Sequence, residues 1–407
     1  MNIIDELSWR GAVNQMTDEA GLRKLTQEKS VSLYCGVDPT GDSMHIGHLI
    51  PFMMLKRFQL AGHHPYILIG GGTGVIGDPS GRKTERQLQT VEQIGENAKK
   101  LKTQFLRLFG EDSNITIVNN YDWLSKLDLL GFLRDYGKLF SVNVMLAKDV
   151  VASRLEAGIS FTEFSYQILQ SVDFHHLLKE RDVQIQIGGA DQWGNITAGI
   201  DMIHKLEGSE QEAYGLTIPL MLKSDGTKFG KTAGGAIWLD PEKTPPYDFY
   251  QYWRNVDDSD VEKCLSLLTF LPMEEVRRLG ALKDAAINEA KKVLAYEVTK
   301  LVHGGGEADK ARAAAEALFD GKGSTENMPT VEVHPPDGQK LLDILVENGI
   351  FASKGEGRRL VQQNGLSLNN KKISDPDYLL TSGDFLDGAA LIKKGKKKYY
   401  RLVLTSG

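Results

Sequence analysis

Two histidines spaced three residues apart, and two lysines about 180 residues further along, carry the clearest chemical potential in this chain. His45 and His48 follow an apolar run and a glycine turn, and Lys228 and Lys231 lie in a glycine-rich segment. Imidazole N–H groups stabilise negative charge that builds on phosphate oxygens, and lysines act on phosphate as mobile point charges. Such chemistry needs mainly positioning and charge neutralisation, without a dedicated general base. The pattern predicts that both pairs surround the phosphates of ATP while its α-phosphorus is attacked.

Each half of this pattern also has an ordinary explanation. His45 and His48 alone are typical of turn histidines, and their HxxH spacing also occurs in zinc sites, although no further His/Cys cluster supports zinc in this sequence. A Lys/Gly/Ser/Thr stretch such as residues 223–232 is usually a solvated loop. The presence of both segments in one chain favours nucleotide chemistry, because glycines let such a loop close over a bound nucleotide.

A buried strand and the helix after it must position the histidines. Residues 31–37 are short, apolar and stopped by glycine and proline, as in a buried strand. Residues 47–60 have the loose apolar periodicity of a helix, in which Pro51 is tolerated if it lies in the first turn. A helix N-terminus attracts phosphate, and Gly47 allows a group such as an adenine ring to approach the backbone closely.

Three longer strings make the interpretation specific. They are residues 34–40 (YCGVDPT), 158–166 (GISFTEFSY) and 186–195 (QIGGADQWGN). With them, the chain resembles the class I aminoacyl-tRNA synthetases, whose HIGH motif matches residues 45–48. Residues 228–232 are similar to the KMSKS motif, with Phe229, Gly230 and Thr232 replacing Met, Ser and Ser. Among these enzymes, the bacterial-type tyrosyl-tRNA synthetases resemble nearly the whole chain.

The resemblance implies a ligase that works in two steps. Tyrosine attacks the α-phosphorus of ATP, which yields tyrosyl-adenylate and pyrophosphate, and the tyrosine then passes to the 3′ end of its tRNA. The implied partners are tyrosine, ATP and the tyrosine tRNA. ATP enters as a substrate with Mg²⁺, which is held mostly by phosphates and water. No tightly bound cofactor, no zinc and no other protein-held metal is expected.

The resemblance also implies roles for single residues around ATP. Thr40 and His45 would contact the γ-phosphate side of the leaving pyrophosphate, and His48 would lie near ribose and adenine. Asp38 would hold the ammonium region of the amino acid, and Asp191 the ribose. The remaining ATP-binding and catalytic residues implied by the motifs are Gly36, Gly47, Gly189, Lys228, Phe229, Lys231 and Thr232.

The tyrosine pocket is implied in the same way. The phenol would donate to the Asp173 carboxylate and accept from the Tyr34 hydroxyl, so phenylalanine would leave both groups buried and unpaired. The α-ammonium and carboxylate ends would meet Asp78, Tyr166, Gln170 and Gln192. Taken alone, the i, i+4 pair Tyr166 and Gln170 is more typical of an ordinary helix face, and Asp173 of a helix end.

The glycine-rich stretch of residues 67–83 would line the amino-acid pocket. It does not match a Walker pattern, so by itself it is weak support for nucleotide binding. Arg82, Lys83 and Arg86 could lie near pyrophosphate or belong to a solvated basic loop.

Composition excludes several classes of protein. The chain has 407 residues, of which 41% are hydrophobic and 25% charged, which fits a globular protein of two or three domains. No apolar run is long enough to cross a membrane, and the first residues show no export or transit signal. The two cysteines, Cys35 and Cys264, fit a reducing compartment, so a cytoplasmic location is expected.

The predicted fold class is α/β, with four segments. Residues 1–222 alternate strands and helices, which predicts a doubly wound parallel, Rossmann-like catalytic domain with strands at 115–118, 183–187 and 216–222. Residues 124–178 would be a helical insertion, which forms the homodimer interface in the family, although its apolar positions fit an ordinary core equally well. Residues 223–320 would hold the lysine loop and an α-helical domain, residues 321–335 a linker, and residues 336–407 an α+β domain.

The last segment carries its own charge signature. Residues 336–407 contain 12 Lys/Arg and 8 Asp/Glu, a formal +4 in a chain whose net charge is −6, which suggests contact with a polyanion. The segment resembles an S4 RNA-binding domain, with departures at Gly355, Gly357 and Asn370 that put a helix start and a turn in doubt. The tRNA-binding residues implied are Lys354, Arg358, Arg359, Lys396, Lys397 and Lys398. A solvated basic tail is the alternative.

Two rival functions remain open at this point. A related synthetase could activate tryptophan, but an indole has one donor and no acceptor for the Tyr34 hydroxyl. An RNA-binding protein with an inactive synthetase body is also compatible with the basic tail, although intact His45, His48, Lys228 and Lys231 argue against it.

Overall fold

A computed structural model describes most of the chain. The described residues are 2–80, 84, 87–110, 114–155, 158–224, 226–227, 229–232, 235–320, 328, 330–334, 338–386, 388–395 and 398–405. The chain divides into two compact units. One comprises Met1–Thr244 with Asn255–Leu294, and the other comprises Pro245–Arg254 with Ala295–Gly407.

Strands of the described residues form two main sheets and a small hairpin. In chain order they are β1 (Gln15–Met16), β2 (Ser32–Val37), β3 (His64–Ile69), β4 (Thr116–Asn119), β5 (Val183–Gly189), β6 (Tyr214–Ile218), β7 (Lys231–Thr232), β8 (Gly235–Ala236), β9 (Thr330–Val333), β10 (Leu366–Leu368), β11 (Lys371–Lys372), β12 (Ala389–Lys394) and β13 (Lys398–Leu404).

The helices connect and cover these strands. They are α1 (Ile3–Trp9), α2 (Glu19–Glu28), α3 (Ile46–Leu60), α4 (Val91–Phe109), α5 (Tyr121–Leu124), α6 (Leu129–Gly131), α7 (Val142–Leu146), α8 (Asp149–Leu155), α9 (Phe161–Arg181), α10 (Trp193–Glu207), α11 (Pro246–Arg254), α12 (Val261–Leu268), α13 (Met273–Gly280), α14 (Ile287–His303), α15 (Gly305–Asp320), α16 (Leu341–Glu347) and α17 (Lys354–Gln362). A membrane-spanning helix, which must be long and continuously apolar, does not occur among them.

The sheet of the first unit has the strand order β1-β6-β5-β2-β3-β4. Its central strands are parallel, with β2 flanked by β3 and β5, while the short β1 runs antiparallel to β6. The strand order reverses beside β2, and in open α/β sheets ligands bind beyond the carboxyl ends of the strands at such a point. The predicted doubly wound, Rossmann-like fold is therefore confirmed.

Some local boundaries differ from the predictions. The last predicted strand of the sheet, 216–222, is the earlier segment Tyr214–Ile218, because residues 219–222 leave the sheet as they approach the lysine loop. Pro51 lies in the second turn of α3 rather than the first. It therefore removes the N–H that would bond the Gly47 carbonyl four residues earlier.

The predicted helical insertion consists of α6–α8, irregular turns and most of α9. Several of its apolar side chains face solvent, so for them the core interpretation is wrong. Leu130 is 77% exposed, and Val142 and Val144 are each 58% exposed, whereas Met145 is buried. Leu129, Leu133 and Phe161 are exposed as well.

The second unit contains a five-stranded sheet of order β11-β10-β12-β13-β9. Strand β9 lies inside the segment predicted as a linker and pairs in parallel with β13, so residues 330–333 belong to this sheet. The apolar core of the unit includes Leu341, Phe351 and Leu402.

The three departures from the S4 pattern have local explanations. Helix α17 starts regularly, because the Ser353 hydroxyl accepts from the Glu356 N–H. Gly357 is buried, and a Cβ there would lie 2.8 Å from the Leu342 side chain. Asn370 has φ +66° in the tight turn between β10 and β11, a conformation that asparagine tolerates.

Candidate active site

The two histidines cap the helix that follows β2. His45 is the N-cap of α3, and its Nδ1 accepts from the Gly47 N–H at 3.0 Å. The His48 Nδ1 accepts from the His45 N–H at 3.3 Å, and the two rings stack with centroids 3.9 Å apart. Because each Nδ1 is an acceptor, the proton of each neutral ring lies on Nε2. Both imidazoles are therefore oriented as Nε2–H donors at a helix N-terminus.

A cavity of about 540 Å³ opens beside these histidines. Such a volume is typical of small-molecule sites. Its lining combines backbone from the ends of β2 and β5 with apolar side chains that suit a purine face. The lining residues that were predicted from the sequence are Gly36, His45, Gly47, His48, Gly189, Asp191 and Phe229, and Gly230 lines the cavity as well. The structure thus brings together most of the residues predicted to bind ATP.

The lysine segment forms a hairpin against the histidine segment. Strands β7 and β8 pair in it, but Lys228 lies outside the described residues, as do the side chains of Lys231 and Thr232. Gly230 has φ +82°, and a Cβ there would lie 3.1 Å from the Ile46 side chain. Arg82, Lys83 and Arg86 are also outside the described residues. The backbone of the hairpin nevertheless lies next to the start of α3.

A row of polar groups, called the slot below, runs from the buried Tyr34 and Asp173 through Asp38 to Asp78. Tyr34 is 1% exposed, and within the described residues its hydroxyl has no hydrogen-bond partner. Asp173 is 2% exposed and accepts from the Asn120 side-chain amide at 2.9 Å and from the Trp123 Nε1–H at 2.7 Å. Burial raises the pKa of Asp173 to about 8, although the two hydrogen bonds favour its ionised form.

A second carboxylate lies further along the same slot. Asp38 accepts from the Tyr166 hydroxyl at 2.9 Å and from the Thr73 hydroxyl at 2.7 Å. Burial, and then the charge of Asp38, raise the pKa of Tyr166 well above its ordinary value. Tyr166 therefore stays protonated and acts as the donor to Asp38.

The third group is a chain of amides at the mouth of the slot. Gln192 donates to Asp78 at 2.7 Å and accepts from Gln170 at 3.2 Å. The Asn195 side-chain amide donates to both glutamines at 3.1 Å. The four residues predicted for the α-ammonium and carboxylate ends are thus joined in two adjoining networks, one through Asp38 and the other through Asp78.

The remaining predicted residues have simpler surroundings. The Thr40 N–H donates to the Asp38 carbonyl, and the Thr40 carbonyl accepts from Gln89 at 3.0 Å. A Cβ at Gly189 would lie 2.6 Å from an Asp191 carboxylate oxygen, so a larger residue there would displace the Asp191 side chain. Within the described ranges, no three His, Cys, Asp or Glu side chains are grouped so as to hold a metal ion.

Four polar residues that hold the predicted side chains in place were not predicted from the sequence, namely Thr73, Asn120, Trp123 and Asn195. Asn120 follows β4 and, besides Asp173, donates to the Thr73 hydroxyl at 2.9 Å, so it links the two carboxylates. One signal was available, because Asn119 and Asn120 come directly after a strand at the carboxyl edge of the predicted parallel sheet. No local signal marked Trp123.

The predicted tRNA-binding residues belong to the second unit. Lys354, Arg358 and Arg359 lie on α17 and are exposed. Lys354 pairs with Asp343 at 3.0 Å, and Arg358 lies 3.8 Å from Asp377. Lys396 and Lys397 are outside the described residues, and Lys398 begins β13 with its side chain not described. One exposed helix thus carries three cations, as predicted.

Comparison with known families gives two matches that together cover most of the chain. Residues 26–320 match the family described as tRNA synthetases class I (W and Y). Residues 321–402 match the family described as the tyrosine–tRNA ligase SYY-like C-terminal domain.

Curated relatives match over nearly the full length. The chain is 61% identical to the tyrosine–tRNA ligase of Latilactobacillus sakei subsp. sakei (strain 23K), over 98% of each chain. It is 60% identical to the tyrosine–tRNA ligase of Ligilactobacillus salivarius (strain UCC118), over 98% of this chain and 99% of the relative. A crystal structure of a C-terminally truncated Aspergillus nidulans mitochondrial tyrosyl-tRNA synthetase is similar with a TM-score of 0.71 and 32% identity, covering 78% of this chain and 94% of that one.

Proposed function

The chain belongs to the tyrosine–tRNA ligases of the class I tRNA synthetase family, and from this premise we propose how its residues carry out the reaction. The enzyme activates tyrosine with ATP to tyrosyl-adenylate and pyrophosphate, and then transfers tyrosine to the 3′ end of its tRNA. The proposal concerns which side chains hold each substrate and which stabilise the transition state.

One observation carries the proposal, namely that β2 contributes to both the slot and the nucleotide cavity. The buried Tyr34 belongs to the slot, and Gly36, two residues later, lines the cavity. A tyrosine whose phenol lies between Tyr34 and Asp173 would extend along the slot toward Asp38 and Asp78. Its carboxylate would then reach the edge of the cavity that contains His45 and His48. Attack on the α-phosphorus needs this end-to-end arrangement.

The charges around the slot fit the two ends of free tyrosine. Asp38 and Asp78 supply negative charge for the ammonium group, while Tyr166, Gln170 and Gln192 supply neutral donors and acceptors. The bound phenol would complete the hydrogen bonding of the Tyr34 hydroxyl. Phenylalanine would leave that hydroxyl and Asp173 buried without the extra partner, which is unfavourable.

In the nucleotide cavity, the Nε2–H of His45 would bind oxygens of the leaving pyrophosphate as negative charge develops, and His48 would lie near ribose and adenine. Lys228 and Lys231 would approach from the hairpin, and Asp191 would bind the ribose. ATP would arrive with Mg²⁺ as a substrate complex, since the phosphates and water can supply most of the metal's ligands. Thr40 and Thr232 would contribute hydroxyl donors on the phosphate side.

Beyond the catalytic site, the proposal includes the remaining predicted assignments. The cations of α17 and of residues 396–398 would bind tRNA phosphates. The helical segment would span residues 223–320 and the S4-like segment residues 336–407, with the strand at 330–333 added to the sheet of the S4-like segment. The chain would act in the cytoplasm. The exposed apolar side chains of Leu130, Val142 and Val144 support a homodimer. Sedimentation of Leu130→Asp combined with Val142→Asp should then give a monomer, and an unchanged mass would exclude this interface.

The decisive experiment is amino-acid-dependent ATP–pyrophosphate exchange on the purified chain. We expect exchange with tyrosine, and at equal concentrations none with phenylalanine or tryptophan. Exchange driven by tryptophan would overturn the assignment of Tyr34 and Asp173. A chain that exchanges with no amino acid but still binds tRNA would overturn the catalytic roles of the histidines and lysines.

A further inference from the structure

Two arginines form hydrogen bonds with backbone carbonyls at the C-terminal end of α12. Arg57, in the last turn of α3 and 2% exposed, donates to the carbonyls of Ser266, Leu267 and Thr269. Arg10 donates to the carbonyl of Ser266 at 3.1 Å and to that of Leu271 at 2.9 Å. Because the last carbonyls of a helix lack intrahelical partners, the arginines satisfy groups that would otherwise be buried unpaired. The helix that begins with the histidines is therefore bound to α12.

The charge of this junction is partly balanced by one carboxylate. Glu6 pairs with Arg10 at 2.8 Å and with Arg57 at 3.3 Å. Burial, and then repulsion from Arg10, lower the pKa of Arg57 to about 9. The guanidinium thus remains charged near neutral pH and keeps its donors aimed at the carbonyls.

The other end of α12 holds the incoming arm of the lysine loop. Asp260, the N-cap of α12 and 4% exposed, accepts from the Ser224 N–H at 3.2 Å. The Lys263 ammonium donates to the Leu222 carbonyl at 3.2 Å. Ser224 lies four residues before Lys228. The chain is therefore held at Leu222 and Ser224, before the first of the two lysines.

The outgoing arm of the loop returns to the histidines. The Ile237 N–H donates to the Gly230 carbonyl at 2.9 Å, and the Ile46 N–H donates to the Ile237 carbonyl at 3.1 Å. The Leu239 N–H donates to the Met44 carbonyl at 2.8 Å. Hydrogen bonds thus connect α3 to α12, α12 to the lysine loop, and the lysine loop to the start of α3.

We propose that Asp260 and Arg57 are positioning residues for adenylate formation, and that α12 acts as a strut that sets the lysine loop against the histidines. The inference rests on the proposed roles of Lys228 and Lys231. Neither Asp260 nor Arg57 lines the nucleotide cavity, so each acts through another element. A displacement of about 1 Å at a reacting centre can lower a rate by about a hundredfold, so loosening the strut should slow the chemical step.

The test is Asp260→Ala in the full-length enzyme, with tyrosine binding and pre-steady-state adenylate formation measured separately. We expect the maximal rate of adenylate formation to fall about tenfold to a hundredfold, with the dissociation constant of tyrosine unchanged. Asp260→Asn retains an acceptor oxygen for the Ser224 N–H and should restore most of the rate. Asp257→Ala is the matched control, because Asp257 is exposed on the same turn and bonds Ser259 rather than the loop.

Two further variants keep the test decisive. Arg57→Lys preserves the charge but replaces a fork of donors by a point charge, so it should slow the same step without weakening tyrosine binding. Should Asp260→Ala also weaken tyrosine binding, Lys263→Met removes a more exposed contact with the same arm and should still slow the step. A normal rate of adenylate formation in both Lys263→Met and Arg57→Lys would show that α12 does not position the lysine loop.

A parallel Lys231→Ala variant separates this inference from the proposed function. If Lys231→Ala slows adenylate formation while Asp260→Ala does not, the lysine has its proposed role and the strut is wrong. If Lys231→Ala leaves the rate unchanged, the role of the loop itself is wrong.

Discussion

Asp173 shows how burial sets the chemistry of one carboxyl group. The sequence indicates a carboxylate at this position, but its pKa of about 8 follows from desolvation in the slot, opposed by donors from Asn120 and Trp123. The buried Tyr34 hydroxyl nearby has no partner among the described residues. Both groups are thus prepared for a ligand that carries a donor and an acceptor on one oxygen.

This pKa predicts the pH dependence of tyrosine binding. Below pH 8 a growing fraction of empty enzyme holds Asp173 neutral, and a phenol that donates to the carboxylate must first displace that proton. The dissociation constant should therefore rise as the pH falls from 8.5 to 6.5, approaching tenfold per pH unit well below the pKa. Equilibrium dialysis with labelled tyrosine measures this. Asp173→Asn should bind more weakly with a flat profile, and a flat profile in the parent enzyme would contradict the assignment.

Gly230 supports a second prediction at this scale. Its φ of +82° is strained for other residues, and an added Cβ would lie 3.1 Å from Ile46. Gly230→Ala should slow adenylate formation about fivefold to thirtyfold, or about 1–2 kcal/mol, because its Cβ would displace Ile46 beside the histidines in addition to the left-handed strain of the backbone. Gly226→Ala is the matched control, because Gly226 has φ +80° in the same loop but open space around its Cα. Equal reductions in both variants would show that contact with Ile46 is irrelevant.

At the scale of elements, α9 brings the predicted pocket residues together. Tyr166 and Gln170 share one side of this helix, as the sequence indicated, and Asp173 lies in the helix interior rather than at an end. The Ser160 hydroxyl caps the first turn. The start of α9 is tied to α8 by a buried pair, Arg154 and Glu163, which are 3% and 1% exposed. The positions of the pocket residues on α9 therefore depend on how α8 packs against the start of α9.

Breaking that pair should be costly, because it leaves an unpaired buried charge. Arg154→Met should lower the free energy of unfolding of the first unit by about 3–5 kcal/mol. Chemical denaturation followed by tryptophan fluorescence measures the change. Arg134→Met is the control, because Arg134 forms an exposed pair with Asp135 and its removal should leave the free energy of unfolding almost unchanged. Similar destabilisation in the two variants would show that burial of the pair is unimportant.

At the scale of the whole molecule, the positively charged segment and the site proposed for activation lie in different units. The +4 segment of residues 336–407 belongs to the second unit, whereas the slot and the nucleotide cavity belong to the first. A change confined to the exposed cations of α17 should therefore alter charging of tRNA without altering adenylate formation.

The corresponding variant combines Lys354→Ala, Arg358→Ala and Arg359→Ala. Removing one cation that binds a phosphate should reduce the slope of log affinity against log salt by about 1, so the slope for tRNA should fall by up to about 3. Filter binding across a salt series and aminoacylation assays measure the effect, while ATP–pyrophosphate exchange should stay at the parent rate. An unchanged salt slope would show that α17 does not meet the RNA.

The sequence by itself determined the fold class and the family, and it supplied the two motifs and the pocket residues on which the proposal rests. Periodicity, glycine turns and helix caps act over a few residues, so they can be recognised locally, and the long strings carried the rest by resemblance. Tertiary structure alone decided that Asn120 and Trp123 hold Asp173, that residues 330–333 join a sheet, and that Arg57 reaches carbonyls more than 200 residues away. These contacts depend on which buried faces pack together, and no local pattern encodes that choice.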